Sequence, residues 1–409
     1  MDAINSGDTA WLLTSTALVM LMTPALGFFY GGLVRRKNVL ATIMHSFFIL
    51  ALISIQWVLW GYSLAFGPDV KGIIGNLSWL GLADVGVLPN TDYAATVPHL
   101  AFMAFQMMFA VITPALITGA FAERKKFKAF VLFSLLWATL VYDPVAHWVW
   151  GVGGWLRAMG ALDFAGGTVV HVSSGAAALV AAFMLGKRVG FGKEKMDPHD
   201  ITMTIFGAAF LWFGWFGFNA GSALSSGGLA ALSFVTTNTA AAMAALTWMT
   251  LDWFVHKRPT VLGAAVGAVA GLVAITPAAG FVTVPAAIVI GFIASLVCFA
   301  AVKVKIKVGV DDALDVFAVH GIGGTWGALA TGLFATVSMN SAGANGLFYG
   351  NPKQLLIQFT AVAVVWIYSA FMTYIILKVV DFAIGTRVPK KEEMLGLDAS
   401  QHGETAYKL

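Results

Sequence analysis

The chain has 409 residues, of which 59% are Ala, Val, Ile, Leu, Met, Phe, Trp, Tyr or Cys and only 11% carry a charge, less than half the share usual in soluble proteins. That excludes a water-soluble globule, because so few polar groups cannot cover its surface. The net charge of +4 is no sign of a nucleic-acid partner, since the Lys and Arg stand in short clusters between apolar runs, as topology signals do.

In chain order, the start through Asp2, Asp8 and Trp11 carries no basic residue ahead of its first apolar run and does not read as a signal peptide. Apolar runs of about 20 residues, the length a helix needs to cross hydrocarbon, then recur to the end. They predict eleven transmembrane segments at roughly 9–34, 39–66, 97–121, 129–152, 167–186, 201–220, 227–254, 260–278, 283–302, 316–337 and 354–381. With the amino terminus outside, the loops after segments 1, 3, 5, 7 and 9 and the tail hold 21 of the 24 basic residues, and the other side holds Lys71, Arg157 and Lys353. One helix missed or invented mid-chain would destroy that asymmetry, so the expectation is amino terminus out and carboxyl terminus in.

An ionisable side chain within a span costs about 2.5–3.5 kcal/mol and asks for a reason. His45 shares its segment with Ser46, Ser54 and Gln56 and reads as a hydrogen-bonded packing residue. His147, after Pro144 and beside Trp148 and Trp150, reads as a belt residue or helix-break cap. Asp252 and His256, beside Lys257 and Arg258, read as interfacial. His171 and His320 are wrapped in Gly, Ala, Ser and Val. They are either satisfied core residues or a functional pair able to accept and return a proton.

Two short similarities bear on that choice. Gly27-Phe-Phe-Tyr-Gly-Gly32 in segment 1 is echoed by Gly214 to Gly221 in segment 6, and His171-Val-Ser-Ser-Gly175 in segment 5 by His320-Gly-Ile-Gly-Gly324 in segment 10. An offset of five spans makes the copies run in opposite directions, the signature of an inverted repeat with a site between its halves. A simple helix ruler, using Lys187 and Asp315 as depth marks, does not place the two histidines level; kinked helices at Gly166-Gly167 and Gly321–Gly324 would be needed. The 44 glycines, with Gly263, Gly267 and Gly271 four apart, say close helix packing. Phe105 with Phe109, and Trp212, Trp215 and Phe218, form aromatic stripes that read as packing or as faces for a cation. The one cysteine, Cys298, gives no metal or disulfide framework, and no nucleotide loop, nucleophile elbow or HExxH is present, which disfavours an integral-membrane enzyme.

Six stretches taken together resemble one family along nearly the whole chain: Phe29-Tyr-Gly-Gly-Leu33, Gly119-Ala-Phe-Ala-Glu-Arg124, Asp163 to His171, Gly186-Lys-Arg-Val-Gly-Phe-Gly192, Gly214 to Ser222, and Asp311 to His320. They are similar to the ammonium transporters of the Amt/MEP/Rh family, and the tail, with Arg387-Val-Pro, Gly396-Leu-Asp398 and His402-Gly-Glu404, to the bacterial and archaeal Amt branch. The resemblance implies an all-α polytopic membrane protein of eleven helices, two inverted five-helix repeats (about 9–186 and 201–337) plus a final oblique helix (354–381). The transporter domain would span 1–381, with a cytoplasmic regulatory tail over 382–409. It implies a homotrimer in the cytoplasmic (inner) membrane, in contact with lipid, and a PII-type (GlnK-like) regulator docking at the inner face, with no cofactor, metal or nucleic acid.

By the same resemblance, Trp150, Phe109 and Ser222 recruit ammonium outside, Phe109 and Phe218 form a gate, His171 and His320 line the pore and relay a proton, Trp215 lines it, and Asp163 is a structural acid that caps rather than ligates. Asp143 stands where an apolar residue is expected; it reads as an acid satisfied by a polar neighbour or as a charge modulating the outer vestibule. The expected function is ammonium and ammonia uptake. The rivals are an ammonium sensor on the same scaffold, for which the 28 residues after the last segment leave little room for a signalling domain, and a Rh-like neutral gas channel, against which the aromatic and hydroxyl entry residues speak.

Overall fold

A computed structural model describes residues 4–407; residues 1–3 and 408–409, the outer ends of the expected domain and tail, lie outside the described residues. Lipid offers no partner to a backbone N–H or C=O, so a chain this apolar satisfies its backbone within helices. The helices in chain order are α1 Ser6–Leu33, α2 Arg36–Phe66, α3 His99–Phe121, α4 Phe127–Met159, α5 Gly167–Leu185, α6 Ile201–Ala220, α7 Gly228–His256, α8 Val261–Ile275, α9 Val284–Lys307, α10 over 317–334 and α11 Pro352–Ile384. Nine of them, among the described residues, are long and apolar enough to cross a membrane. The other two occupy expected segments but differ in make-up: α8 has 15 residues, and α10 is diluted by His320 and five glycines. A short helix in the tail, α12 Lys390–Leu395, and one hairpin, β1 Asp69–Val70 against β2 Ile74–Gly75, complete the elements used below.

Starts are set by local chemistry. Asn5, Asp200 and Thr260 each accept a first-turn N–H, from Asp8, Met203 and Gly263, which satisfies a donor the helix leaves orphaned. Asp252, expected at the interface, accepts from Thr260 at 2.5 Å and pairs with His256 at 3.3 Å, tying the end of α7 to the start of α8. Glycine lets helices touch: a Cβ at Gly207 of α6 would strike the Phe29 backbone of α1, and one at Gly217 the Ser15 carbonyl. Position rises along α6 as it falls along α1, so these two helices run antiparallel.

The connections sort onto two ends. At one, residues 34–38, 122–126 and 186–190 meet the tail, and 309–316 join them through Arg188 and Asp311. Leu397 donates to Asn38, Asp398 accepts from Leu40 and Ala41, Val388 donates to the Arg124 carbonyl, and Val189 donates to Glu393. At the other, Ser226 donates to Asp8, Trp148 to the Ile73 carbonyl, and Leu162 exchanges hydrogen bonds with Gln358.

The tail end is organised by buried charge. Glu123, in a left-handed backbone conformation at φ 71°, accepts from the Arg35 backbone at 2.7 Å and from Arg188 at 3.2 Å, and Arg188 also grips Asp311 at 2.8 Å. Burial alone would push the Glu123 carboxyl up, but Arg188 and Arg35 more than offset it and hold it below the usual range; Asp311 is held low against burial by Arg188 and Arg124. Depressed folded values mean the unfolded chain takes up the proton first. The stabilisation is therefore present above about pH 4 and lost as pH falls through the depressed values. Thermal unfolding in detergent should show a midpoint that drops steeply below about pH 4. Glu123→Gln should cost about 3 kcal/mol at neutral pH, by leaving buried arginines unpaired, and should shallow the acid drop. A variant as stable as the parent at pH 7 would contradict this.

Candidate functional site

Three cavities lie in line through the helices. The outermost, about 330 Å³, is lined by Phe109, Trp150, Asp163 and Ser222, together with Tyr93 and Gln106. Trp150 is fixed by donating its indole N–H to the Asp163 carbonyl at 2.9 Å, and it meets Phe109 edge to face at 5.9 Å. Ser222 spends its hydroxyl proton on the Phe218 carbonyl at 2.9 Å, which leaves its lone pairs as acceptors.

Beneath this cavity Phe109 stacks on Phe218 with centroids 4.2 Å apart. Both are buried, so the stack closes the floor. Phe218 also roofs a narrow void of about 10 Å³ whose lining is aliphatic and aromatic save for Trp215, His171 and His320. The two imidazoles face each other, Nδ1 to Nδ1, at 3.2 Å, and His171 Nε2 has no protein partner. Trp215 lies nearly parallel to the His171 ring and donates to Thr276 at 2.9 Å. His320, Phe29 and Val269 then border a third cavity of about 230 Å³ that reaches Tyr30, Pro198 and Asp315 at the tail end.

Two matched turns hold the histidines. Gly167–Val172 and Phe317–Ile322 are π-helical, a rare geometry that shifts side chains from the α-helical register and often marks functional sites. Asp163 gathers the first: its carboxylate accepts from Gly166, Gly167, Thr168 and Val169 N–H at 2.6–3.2 Å and from the Thr168 hydroxyl. Gly166 at φ 109° makes the turn possible. Asp312 stands in the same place ahead of the second, accepting from Phe317 N–H at 2.8 Å. Each acid lies eight residues before its histidine, and each histidine four before a glycine at the crossing: a Cβ on Gly175 would strike Gly321, and one on Gly324 would strike His171.

That spacing, Asp-x7-His-x3-Gly, is a sequence signal the helix ruler missed. Lys187 and Asp315 are poor depth marks because they lie outside the regular helices, whereas the capping acids lie at equivalent points. Asp312, Gly175, Gly324 and Tyr30, whose hydroxyl donates to Leu116 at 3.0 Å, are therefore additions to the expected set. Elsewhere, His45 is buried between Phe127 and Phe130 with Nδ1 unpartnered, so it packs by ring contact and not through a hydrogen bond at that nitrogen. Asp143 does not line the outer cavity; it is fully buried and accepts from Gln56 at 2.8 Å. His147 is neither belt nor cap: it bonds Asp69 and the Ala65 carbonyl. Among the described residues no cluster of three or more His, Cys, Asp or Glu is arranged to hold a metal.

The sequence matches the family model described as Ammonium Transporter Family over residues 10–407. It is 56% identical over 403 residues to the ammonium transporter of Bacillus subtilis, with 98% of both chains covered. It is 51% identical over 404 residues to ammonium transporter Amt1 of Archaeoglobus fulgidus, covering 99% of this chain and 100% of that one. The crystal structure of Candida albicans Mep2 superposes with a TM-score of 0.91 at 39% identity, over 99% of this chain and 92% of that one.

The Asp163 cap yields a test of how the site is built. Asp163→Ala leaves several buried N–H groups unsatisfied at about 1–3 kcal/mol each, so it should lower the unfolding midpoint strongly and abolish transport. Asp163→Asn keeps one acceptor oxygen and should fall between. An Asp163→Ala protein with parental stability would show that the carboxylate does not hold the turn.

Proposed function

We propose a route for the substrate on the premise that this chain belongs to the Ammonium Transporter Family and is a multi-pass membrane ammonium transporter. The observation that carries it is the series of cavities, wide, nearly closed and wide again, with one polar pair in the closed part. Ammonium enters the outer cavity, where the faces of Trp150 and Phe109 supply cation–π attraction and the Ser222 oxygen accepts a hydrogen bond. The Phe109–Phe218 stack admits it one molecule at a time. An ion cannot keep its charge in a void this narrow and apolar, so ammonium gives up its proton and ammonia passes along Trp215, His171 and His320. The histidine pair carries the proton separately, and the two recombine in the inner cavity. Potassium has the same charge but no proton to lose, and is refused. The aromatic and hydroxyl mouth favours this reading over a neutral gas channel.

The same proposal takes α1 to α11 as eleven spans, in inverted halves at about 9–186 and 201–337 with α11 added. The antiparallel contact of α1 with α6 and the repeated Asp-x7-His-x3-Gly of α5 and α10 support it. Basic residues crowd the tail end, including Arg35–Lys37 and Arg124–Lys126, which supports a cytoplasmic-membrane protein with that end inside and the amino terminus out. The tail (382–409), laced to the loops at 34–38, 122–126 and 186–199, is a platform for a PII-type regulator. Apolar outer faces such as Phe359, Ile367 and Phe371 of α11 suit lipid, and a homotrimer is proposed from the family.

Uptake of labelled ammonium into liposomes tests the route. The parent should take up ammonium and not rubidium, a potassium substitute. Trp150→Leu should weaken apparent affinity by about tenfold, the loss of roughly 1–2 kcal/mol of cation–π attraction. His171→Asp should alter the rate or admit rubidium. Parental behaviour in both variants would overturn the assignments.

A further inference from the structure

The geometry points to His147 as a positioning residue: held between Asp69 and the Ala65 carbonyl, it clamps the end of α4 that carries Trp150 and so supports ammonium affinity at the entry. His147 is fully buried on the stretch Asp143–Trp150, one turn before Trp150. Its Nδ1 lies 3.0 Å from the Ala65 carbonyl and its Nε2 2.9 Å from Asp69 Oδ1. The first partner can only accept, and an ionised carboxylate can only accept, so both ring nitrogens must donate. A neutral ring has one N–H and would set a lone pair against one of those oxygens.

Asp69 is the exposed member of the pair, its side chain 28% exposed while the His147 side chain is 0% exposed. Asp69 also shapes the β1–β2 turn, accepting from Gly72 N–H at 2.8 Å. That turn is fastened to the same end of α4 by Trp148 donating to the Ile73 carbonyl at 2.7 Å and Trp155 to the Gly72 carbonyl at 3.2 Å. Loss of the His147–Asp69 contact therefore loosens the hairpin from the helix that presents Trp150. The titratable and charged groups on this stretch and the elements packed against it are Asp143 and Tyr142, Tyr62, Arg157, and His171, with Asp69 and Lys71 on the hairpin. Of these only Asp69 is within hydrogen-bond reach of the ring; Arg157 donates to the Trp150 carbonyl at 2.5 Å.

This clamp rests on Trp150 being part of the entry site, which the Trp150→Leu uptake tests by itself. The clamp is tested by KM and kcat for ammonium uptake into liposomes. His147→Ala removes both contacts, and KM should rise about fivefold or more, the loss of at least one hydrogen bond, with kcat unchanged. His147→Gln, which can keep one of the two contacts, should fall between. A His147→Ala protein with the parental KM, or one whose kcat falls while KM stays put, overturns the clamp while leaving the entry site standing. If His147→Ala fails to assemble, Asp69→Ala, which removes one of the contacts from its exposed side, should raise KM in the same way, and a parental KM there overturns the clamp equally.

Discussion

Two ring nitrogens 3.2 Å apart in a void too narrow for bulk water impose the constraint on which the rest of the molecule turns. A hydrogen bond between them needs one proton, so one histidine donates and the other accepts. The donor ring is left with a bare outer nitrogen and the acceptor ring with an outer N–H. When a proton arrives at the bare outer nitrogen, the shared proton shifts across and the outer N–H proton of the far ring leaves, and only that full sequence exchanges those roles. In the proposed route the pair would serve as a short proton wire with two equivalent settings, in surroundings that offer a cation little else. Trp215, the one other polar side chain lining the void, has its N–H engaged by Thr276.

Holding that contact explains features that would otherwise be unrelated. The backbones at the crossing must approach until Gly175 meets Gly321 and Gly324 meets His171, which no larger residue permits. Each histidine must be rotated into the lumen, and the π turns do this at the cost of regular bonding. Asp163 and Asp312 supply acceptors where those turns leave N–H groups facing a medium with no water. The charge network of Glu123, Arg188 and Asp311, with Arg35, ties together at the tail end the loops that carry these four residues. These contacts fix the end of α5 and the chain that leads into the His320 turn.

Much of this was legible in the sequence, and the reasons for the rest are physical. Apolar run length and the clustering of Lys and Arg located the nine helices that, among the described residues, are long and apolar enough to cross a membrane, because lipid selects on composition. Two helices proved short or glycine-diluted, since α8 and α10 sit against other helices and have less need of apolar surface. The aromatic entry, the stack and the histidine pair were identified through family resemblance, and the structure brings those side chains together; periodicity and spacing would not have done so, because three of the residues sit on or beside π turns that have no residue-type signature. Asp312 was within reach as the partner of Asp163 by spacing alone. His147 was misread because its partner, Asp69, lies 78 residues earlier in a polar loop that no helical pattern links to it, whereas Asp143 is the acid satisfied by a polar neighbour that was expected, though its partner Gln56 on another helix could not be named.

The central claim is that ammonium cannot cross the histidine-lined void without first losing its proton. The most direct measurement is the initial rate of ammonium uptake into liposomes carrying the parent protein, compared in H2O and D2O at matched substrate and driving force. If N–H cleavage and proton relay along His171 and His320 are obligatory, the rate falls in D2O by more than solvent viscosity explains. Equal rates after viscosity correction would mean that the ion passes intact, and would contradict the account.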